Sequence, residues 1–315
     1  MTNDKHITSE LKQHHDILKN LTDDLKWLYN QAVNHQTVDT LAKKYYLTGN
    51  RDLIKLKKTL IAFFQISQLV KFNEYSQLKK QICLDNRYDS LIATIAKVGN
   101  PGIELDSNYG IITWNYDIQF ELSLMEYENN TLNAIKRKFQ IHPMKGHLDL
   151  DNYTCDLERF AMFKLNGNAL WDQLLGAIDE PVKMDVDHLL QSSDIYDLLK
   201  NILLSYNKSG IKDQWYFNYA WETNENSIIQ YKAKEQLFND AEALISKAHT
   251  LIIVGYSFPA FNEIIDRRVL RGFNGSKIII QDMNPNRIEA RLRQLVPRRE
   301  RDSNLRRYFS PVQIS

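Results

Sequence analysis

Residues 249–262 read His-Thr-Leu-Ile-Ile-Val-Gly-Tyr-Ser-Phe-Pro-Ala-Phe-Asn, and this stretch decides the fold class. Leu251 to Val254, preceded by Ala248, run without a break into Gly255-Tyr256-Ser257, and a helical pattern follows from Ala260. An apolar run of this length closed by glycine reads as a fully buried strand of a parallel sheet. Gly255 lets the backbone turn sharply and come close to a ligand. Ser257 then stands at the carboxyl end of the strand, where open α/β sheets hold nucleotides.

The same texture extends back to residue 109. Gly110 to Trp114 is a short apolar run followed by a helix over Ile118 to Glu126. Met162 to Leu165 is another, and helices are expected over Ser193–Ser205 and Ile229–Lys247. After the Leu251–Val254 strand come a helix over Ala260–Arg271, a strand over Lys277–Ile280 and a helix over Pro285–Leu295. Strands alternating with helices predict an α/β fold, a Rossmann-like parallel sheet flanked by helices. The stretches 141–155 and 172–188 read as loops.

The first hundred residues differ. Ile17, Leu18, Leu21, Leu25, Leu28 and Tyr29 recur at three- and four-residue spacing and make one apolar stripe. Val38–Tyr46 and Asp52–Phe72 continue as amphipathic helices, and Asp89 is placed to cap a helix over Ser90–Val98. No β-period shows here. The expected division is therefore an all-helical region over 1–102 and a nucleotide-binding domain over 103–315.

Composition narrows the class. The chain has 315 residues, 43% hydrophobic and 25% charged, as in an ordinary globular protein. No apolar run reaches bilayer-crossing length, and Met1 to Glu10 is too polar for a signal peptide, so a cytoplasmic protein is expected. Two cysteines, Cys83 and Cys155, build neither a disulfide framework nor a cysteine zinc site. A net charge of +1 excludes a globally basic nucleic-acid binder, leaving only the local Arg298–Arg307 tail for such contacts. No histidine pair has metal-ligand spacing with a carboxylate, so no metal is expected.

Four strand ends carry polar groups. Thr113-Trp114-Asn115-Tyr116-Asp117 places an amide and a carboxylate where they can hold a ribose or a water, or cap the next helix. Lys164-Leu165-Asn166-Gly167-Asn168 is either part of the same sheet rim or a tight turn. Gly255-Tyr256-Ser257-Phe258 is the third. Gln281-Asp282-Met283-Asn284-Pro285 suits ribose hydroxyls, or starts a helix with Asn284 as cap and Pro285 as first residue. His142 and His147 lie in the 141–155 loop, where exposure to solvent is the simplest role. The aromatic run from Tyr206 to Trp221, with Trp215, Tyr216, Phe217 and Tyr219, reads as core or interface.

In order and wording the four motifs resemble the sirtuin-like domains of bacterial defence proteins. Those domains carry Thr-Thr-Asn-Tyr-Asp, Lys-Leu-His-Gly, Gly-Tyr-Ser-Phe and a strand ending in Asn. The resemblance covers roughly the last two hundred residues. It implies a Rossmann-like domain that binds NAD and breaks its nicotinamide–ribose bond in antiviral defence, alone, as a homo-oligomer or with a partner defence protein. Asn115 and Asp117 then fall in the catalytic motif, and Asn166 stands at the family's catalytic histidine. Thr113, Tyr116, Gly167, Gly255, Tyr256, Ser257, Asp282 and Asn284 fall at cofactor-binding positions, with Gly255 and Ser257 toward phosphate and ribose and Asn284 toward adenosine. An amide at 166 orients a water but accepts no proton at neutral pH. The family's Gly-Ala-Gly-like opening loop has no counterpart before residue 100. A catalytically silent subunit that binds NAD or ADP-ribose, or only scaffolds a complex, is the alternative. Four zinc cysteines, as in the classical deacetylases, are absent.

Overall fold

The short apolar runs and the period-3.6 segments sort into mixed α/β architecture in a computed structural model of the chain. It describes residues 14–35, 37–69, 84–144, 155–169, 195–208, 217, 219–222 and 228–295. His147, His188, the 172–188 loop, Trp215, Tyr216, Cys83 and the Arg298–Arg307 tail lie outside the described residues. By packing, the chain divides into two units: Met1–Lys145 with Glu158–Tyr219, and Gly146–Leu157 with Ala220–Ser315. The helical region and the Asn115 and Asn166 motifs thus share one unit, and the Gly255 and Asn284 motifs belong to the other.

In the first unit, α1 (His15–Val33), α2 (Val38–Leu47), α3 (Asp52–Leu69) and α7 (Ile195–Lys208) pack together. The apolar stripe of α1 buries Leu21 and Leu28, and α2 buries Leu41, Ala42 and Tyr45. The Thr37 hydroxyl caps α2 by accepting from the Thr40 N–H at 3.1 Å. The helix expected over Ser90–Val98 is α4 (Asn86–Ile95), capped by Asp85 rather than Asp89. Its last residues form instead β1 (Ala96–Val98), antiparallel to β2 (Ile103–Leu105). The Gly99–Gly102 turn folds these two runs together, and three-residue strands are too short to announce a period.

The central sheet follows. β3 (Gly110–Thr113), β4 (Ile141–His142) and β5 (Ala161–Lys164) are all parallel, with β5 in the middle. α5 (Gln119–Tyr127) and α6 (Leu132–Lys138) connect β3 to β4. A core of Ile92, Ile95, Phe120, Leu124, Ile135 and Met162 joins the sheet to α4, α5 and α6. The strand β4 corrects the loop reading of 141–155. His142 is no exposed loop histidine; its ring is buried and stacks on Phe163 at 5.1 Å.

The second unit holds α8 (Ile228–Lys247), β6 (Thr250–Val254), α9 (Glu263–Leu270), β7 (Lys277–Gln281) and α10 (Pro285–Leu295). β6 and β7 pair in parallel from Thr250↔Lys277 to Val254↔Gln281. The helix expected over Ala260–Arg271 opens as a 3₁₀ turn, Ala260–Asn262, before α9. α8 packs on α9, α9 on α10 and α10 on β7. One expectation fails here. β6 is not fully buried: Ile253 is covered, but Ile252 and Val254 on the opposite face are 53% and 64% exposed. Composition alone cannot tell a strand covered on both faces from one covered on a single face.

No helix among the described residues is long and apolar enough to cross a membrane.

Candidate functional site

The first cluster forms where β3 and β5 end side by side. Thr113 pairs with Lys164, so the two following loops start in register. Three ties join them: the Leu165 N–H donates to the Thr113 carbonyl at 2.8 Å, the Asn166 side-chain amide to the Trp114 carbonyl at 2.7 Å, and the Ala169 N–H to the Tyr116 carbonyl at 2.7 Å. Gly167, at φ +72°, makes the turn between them and bridges to Phe217. Asn166 therefore has a structural job, whatever else it does.

Asn115 is exposed. Its N–H donates to the Thr113 hydroxyl at 3.0 Å, and its side-chain amide donates to the Tyr88 hydroxyl at 3.3 Å. It does not cap the next helix. Nor does Asp117, since Ile118 stands at the cap position with no side-chain bond; Asp117 accepts from the Gln119 N–H at 3.0 Å and closes the turn that leads into α5. Burial, and then the charge of Asp117, push the Tyr88 hydroxyl up to about 12, so it stays protonated.

Tyr116 is half-buried, with its ring and hydroxyl turned inward. Its ring packs on Phe217 at 4.6 Å and on Phe64 at 5.2 Å, and its hydroxyl lies 3.5 Å from Asp39. Burial pushes the Asp39 carboxyl up to about 6, against the pull of hydrogen bonds from Tyr116 and Tyr219. The helical region also reaches the loop through Gln68, whose side-chain oxygen accepts from the Ile118 N–H at 3.0 Å. Phe217 and Tyr219 are fully buried, as expected for core aromatics.

Beneath the loops lies a buried ion pair that sequence reading passed over. The Lys164 ammonium donates to the Glu121 carboxylate at 2.9 and 3.2 Å and to the Asp117 carbonyl, and both side chains are almost wholly buried. The available signal was a lysine closing an apolar strand and a glutamate between Phe120 and Leu122. Asn168, also passed over, is 1% exposed, and neither atom of its amide has a hydrogen-bond partner.

The second cluster forms where β6 and β7 end. Gly255 takes φ +61°, with its N–H donating to the Gln281 carbonyl at 3.1 Å, and open space surrounds its α-carbon. Ser257 is exposed. Tyr256 turns inward: its hydroxyl donates to Asp266 at 2.9 Å and accepts from the Asn262 amide at 3.0 Å. Burial pushes the Asp266 carboxyl up to about 7. Asp282 accepts from the Asn284 N–H at 2.7 Å, and Asn284 caps α10, accepting from the Arg287 N–H through its carbonyl at 3.2 Å and its side chain at 3.4 Å. Pro285 opens that helix as expected.

Chemically, the first cluster offers one exposed amide, a carboxylate in the turn before α5 and a carboxyl near neutrality. The second offers a glycine turn, an exposed hydroxyl and a helix start whose free N–H groups favour anions. On this unit Arg268, Arg271, Arg291 and Arg293 are paired with Glu235, Glu242, Glu263 and Glu289, so they form no free basic patch. Among the described residues no three His, Cys, Asp or Glu side chains group around a metal-sized point. In comparison with known proteins, the chain matches no family model, no curated protein and no solved structure.

Proposed function

We propose that the chain is a sirtuin-like NAD-binding protein that cleaves the nicotinamide–ribose bond in bacterial antiviral defence. One observation carries the reading: two adjacent parallel strands, β3 and β5, end in register and are each followed two residues on by an asparagine, Asn115 and Asn166, in the order the resemblance requires. The hydrolysis needs little from the protein beyond placement. The bond from ribose C1′ to the ring nitrogen breaks, nicotinamide leaves as a neutral molecule with the bonding pair, and water oxygen bonds to C1′ and loses a proton. Asn115, exposed and uninvolved in capping, suits the water or the nicotinamide ribose. Within the second unit, Gly255, Ser257 and Asn284 follow the ends of β6 and β7, at positions that the resemblance assigns to phosphate, ribose and adenosine contacts.

Nicotinamide release from NAD tests the proposal, with Asn115→Ala as the control variant. Turnover in the parent chain and a loss of a hundredfold or more in Asn115→Ala, at unchanged thermal stability, is expected. Absence of release under every trigger and partner tried overturns it. The Asn166–Trp114 tie favours a second reading, a silent subunit that binds NAD without cleaving it. Calorimetric binding without nicotinamide release supports that reading.

A further inference from the structure

In the loop that follows β6, the Tyr256 hydroxyl joins two side chains one helical turn apart. It donates to Asp266 Oδ1 at 2.9 Å and accepts from the Asn262 amide at 3.0 Å. Asn262 stands at the cap position of α9 and Asp266 four residues on, so the two share one face of that helix. Asp266 is 0% and Asn262 3% exposed, and their remaining oxygens, Asp266 Oδ2 and Asn262 Oδ1, are buried without a partner. Both are acceptors. Leaving each unpaired costs about 1–3 kcal/mol, and a single hydrogen between them removes both costs. The amide oxygen carries no hydrogen, so the carboxyl supplies it: Asp266 is held as the acid and donates through Oδ2 to Asn262 Oδ1. Turning the amide over does not remove the need. The Tyr256 hydroxyl would then give its hydrogen to Asn262, and Asp266 would have to donate to Tyr256.

We propose that Asp266 and Asn262 hold one proton between them as a latch on the Tyr256–Phe258 loop, and that loss of this proton to solvent frees the loop that carries Ser257. The loop needs holding. Phe258 takes φ +50°, a left-handed conformation that a bulky residue keeps only where its surroundings impose it. Its buried ring packs on Tyr256 at 4.7 Å, and its carbonyl accepts from Arg291 at 3.1 Å. Ser257 lies exposed between these two anchors. Once the proton has left, two oxygens without a hydrogen face each other inside the unit, and the carboxylate gains solvation only by letting Tyr256 go. Neighbouring charges do not cancel this. Arg291 of α10 favours the carboxylate, but it is bonded to Glu263, whose charge opposes it. α8 meets α9 through Glu235 and Glu242, which are taken by Arg268 and Arg271, while its Asp240 accepts from Gln236. Burial prevails and pushes the Asp266 carboxyl up to about 7, so the latch is shut in mild acid and open in mild base. The inference concerns how the loop is held and stands apart from the NAD reading.

Nitrogen-15 relaxation of the 255–258 amides in the full chain at pH 5 and pH 8, with the carbon-13 shift of the Asp266 carboxyl, tests this. The parent loop is expected to be rigid at pH 5, with order parameters of about 0.85, and to fall below about 0.6 at pH 8 with the midpoint of the carboxyl. Asp266→Asn carries the same donor and acceptor as the protonated acid, so its loop is expected to stay rigid at both. Tyr256→Phe lacks the hydroxyl and is expected to be mobile at both. The amide of Ile253 in β6 is the reference and stays rigid throughout. A parent loop equally rigid at the two pH values overturns the proposal, as does a carboxyl already ionised at pH 5. So does an Asp266→Asn loop that loosens as the parent's does, or a loosening that β6 shares. Where a variant fails to fold, the parent's titration decides alone: loop and carboxyl changing together support the latch, and changing apart they overturn it.

Discussion

The two sets of strand ends are built differently. At the end of β3 and β5, the polar groups are mostly spoken for: Asn166 holds the Trp114 carbonyl, Lys164 holds Glu121, and Tyr116 is packed among Phe64 and Phe217. At the end of β6 and β7, Ser257 and Asn284 face solvent, and only Tyr256 turns inward, to Asp266 and Asn262. The difference teaches that one motif vocabulary serves two purposes. In the first set, asparagine and lysine lock loops together, and recognition falls to the few groups left over. In the second, short local bonds from Asp282 and Asn284 hold the turn into α10, and Ser257 stays exposed.

The sharpest way to break this contrast is at the buried pair. Lys164→Met leaves Glu121 without its counter-charge in the core and is expected to cost about 3–5 kcal/mol. Urea unfolding reads this directly, and the double variant with Glu121→Leu should recover much of the loss. A cost below about 1 kcal/mol would mean that the first set of loops is not locked by this pair.

Asp266 supplies the next effect, in the second unit. Its folded pKa, about 7, lies above the ordinary value of 3.8, so the folded state holds the proton more tightly than the unfolded chain. The associated stability is complete below 3.8 and is lost as pH rises through about 7. Between pH 5 and pH 8 this group should remove roughly 2–3 kcal/mol, and Asp266→Asn should abolish that slope. Thermal unfolding across this pH range checks the sign: a parent chain that gains stability from Asp266 as pH rises contradicts the burial argument.

The smallest effects separate cap from site. Asn284→Ala removes the cap of α10, and Asp117→Ala removes the turn bond that leads into α5; each should cost about 1 kcal/mol. A markedly larger cost at Asn284 would show that the second set of loops is as tightly held as the first. Asn115→Ala, which caps nothing, should cost little stability, which is why its effect on turnover is informative.

Much of the fold was legible in local pattern. α1 spans the whole Ile17–Tyr29 stripe and α10 runs over its expected Pro285–Leu295, because an apolar stripe and the Asn284-Pro285 start are written in local sequence. β6 and β7 were equally plain as unbroken apolar runs. β1 and β4 were not, since strands of two or three residues have no period to detect. Of the site, Asn115 and Ser257 are exposed at strand ends as their positions suggested. Tyr116 and Tyr256 were legible as strand-end residues, but their inward direction depends on Asp39 and Asp266, which lie elsewhere in the chain.

Sequence by itself determined the α/β class, the parallel strand runs and the polar character of their ends, because spacing and turn chemistry act over a few residues. Tertiary structure alone decided which polar groups are committed. The Asn166 amide meets a carbonyl 52 residues away, and Lys164 meets a glutamate 43 residues away. It also decided that one face of β6 stays open, for burial is set by the element that packs against a face and not by the residues that make it.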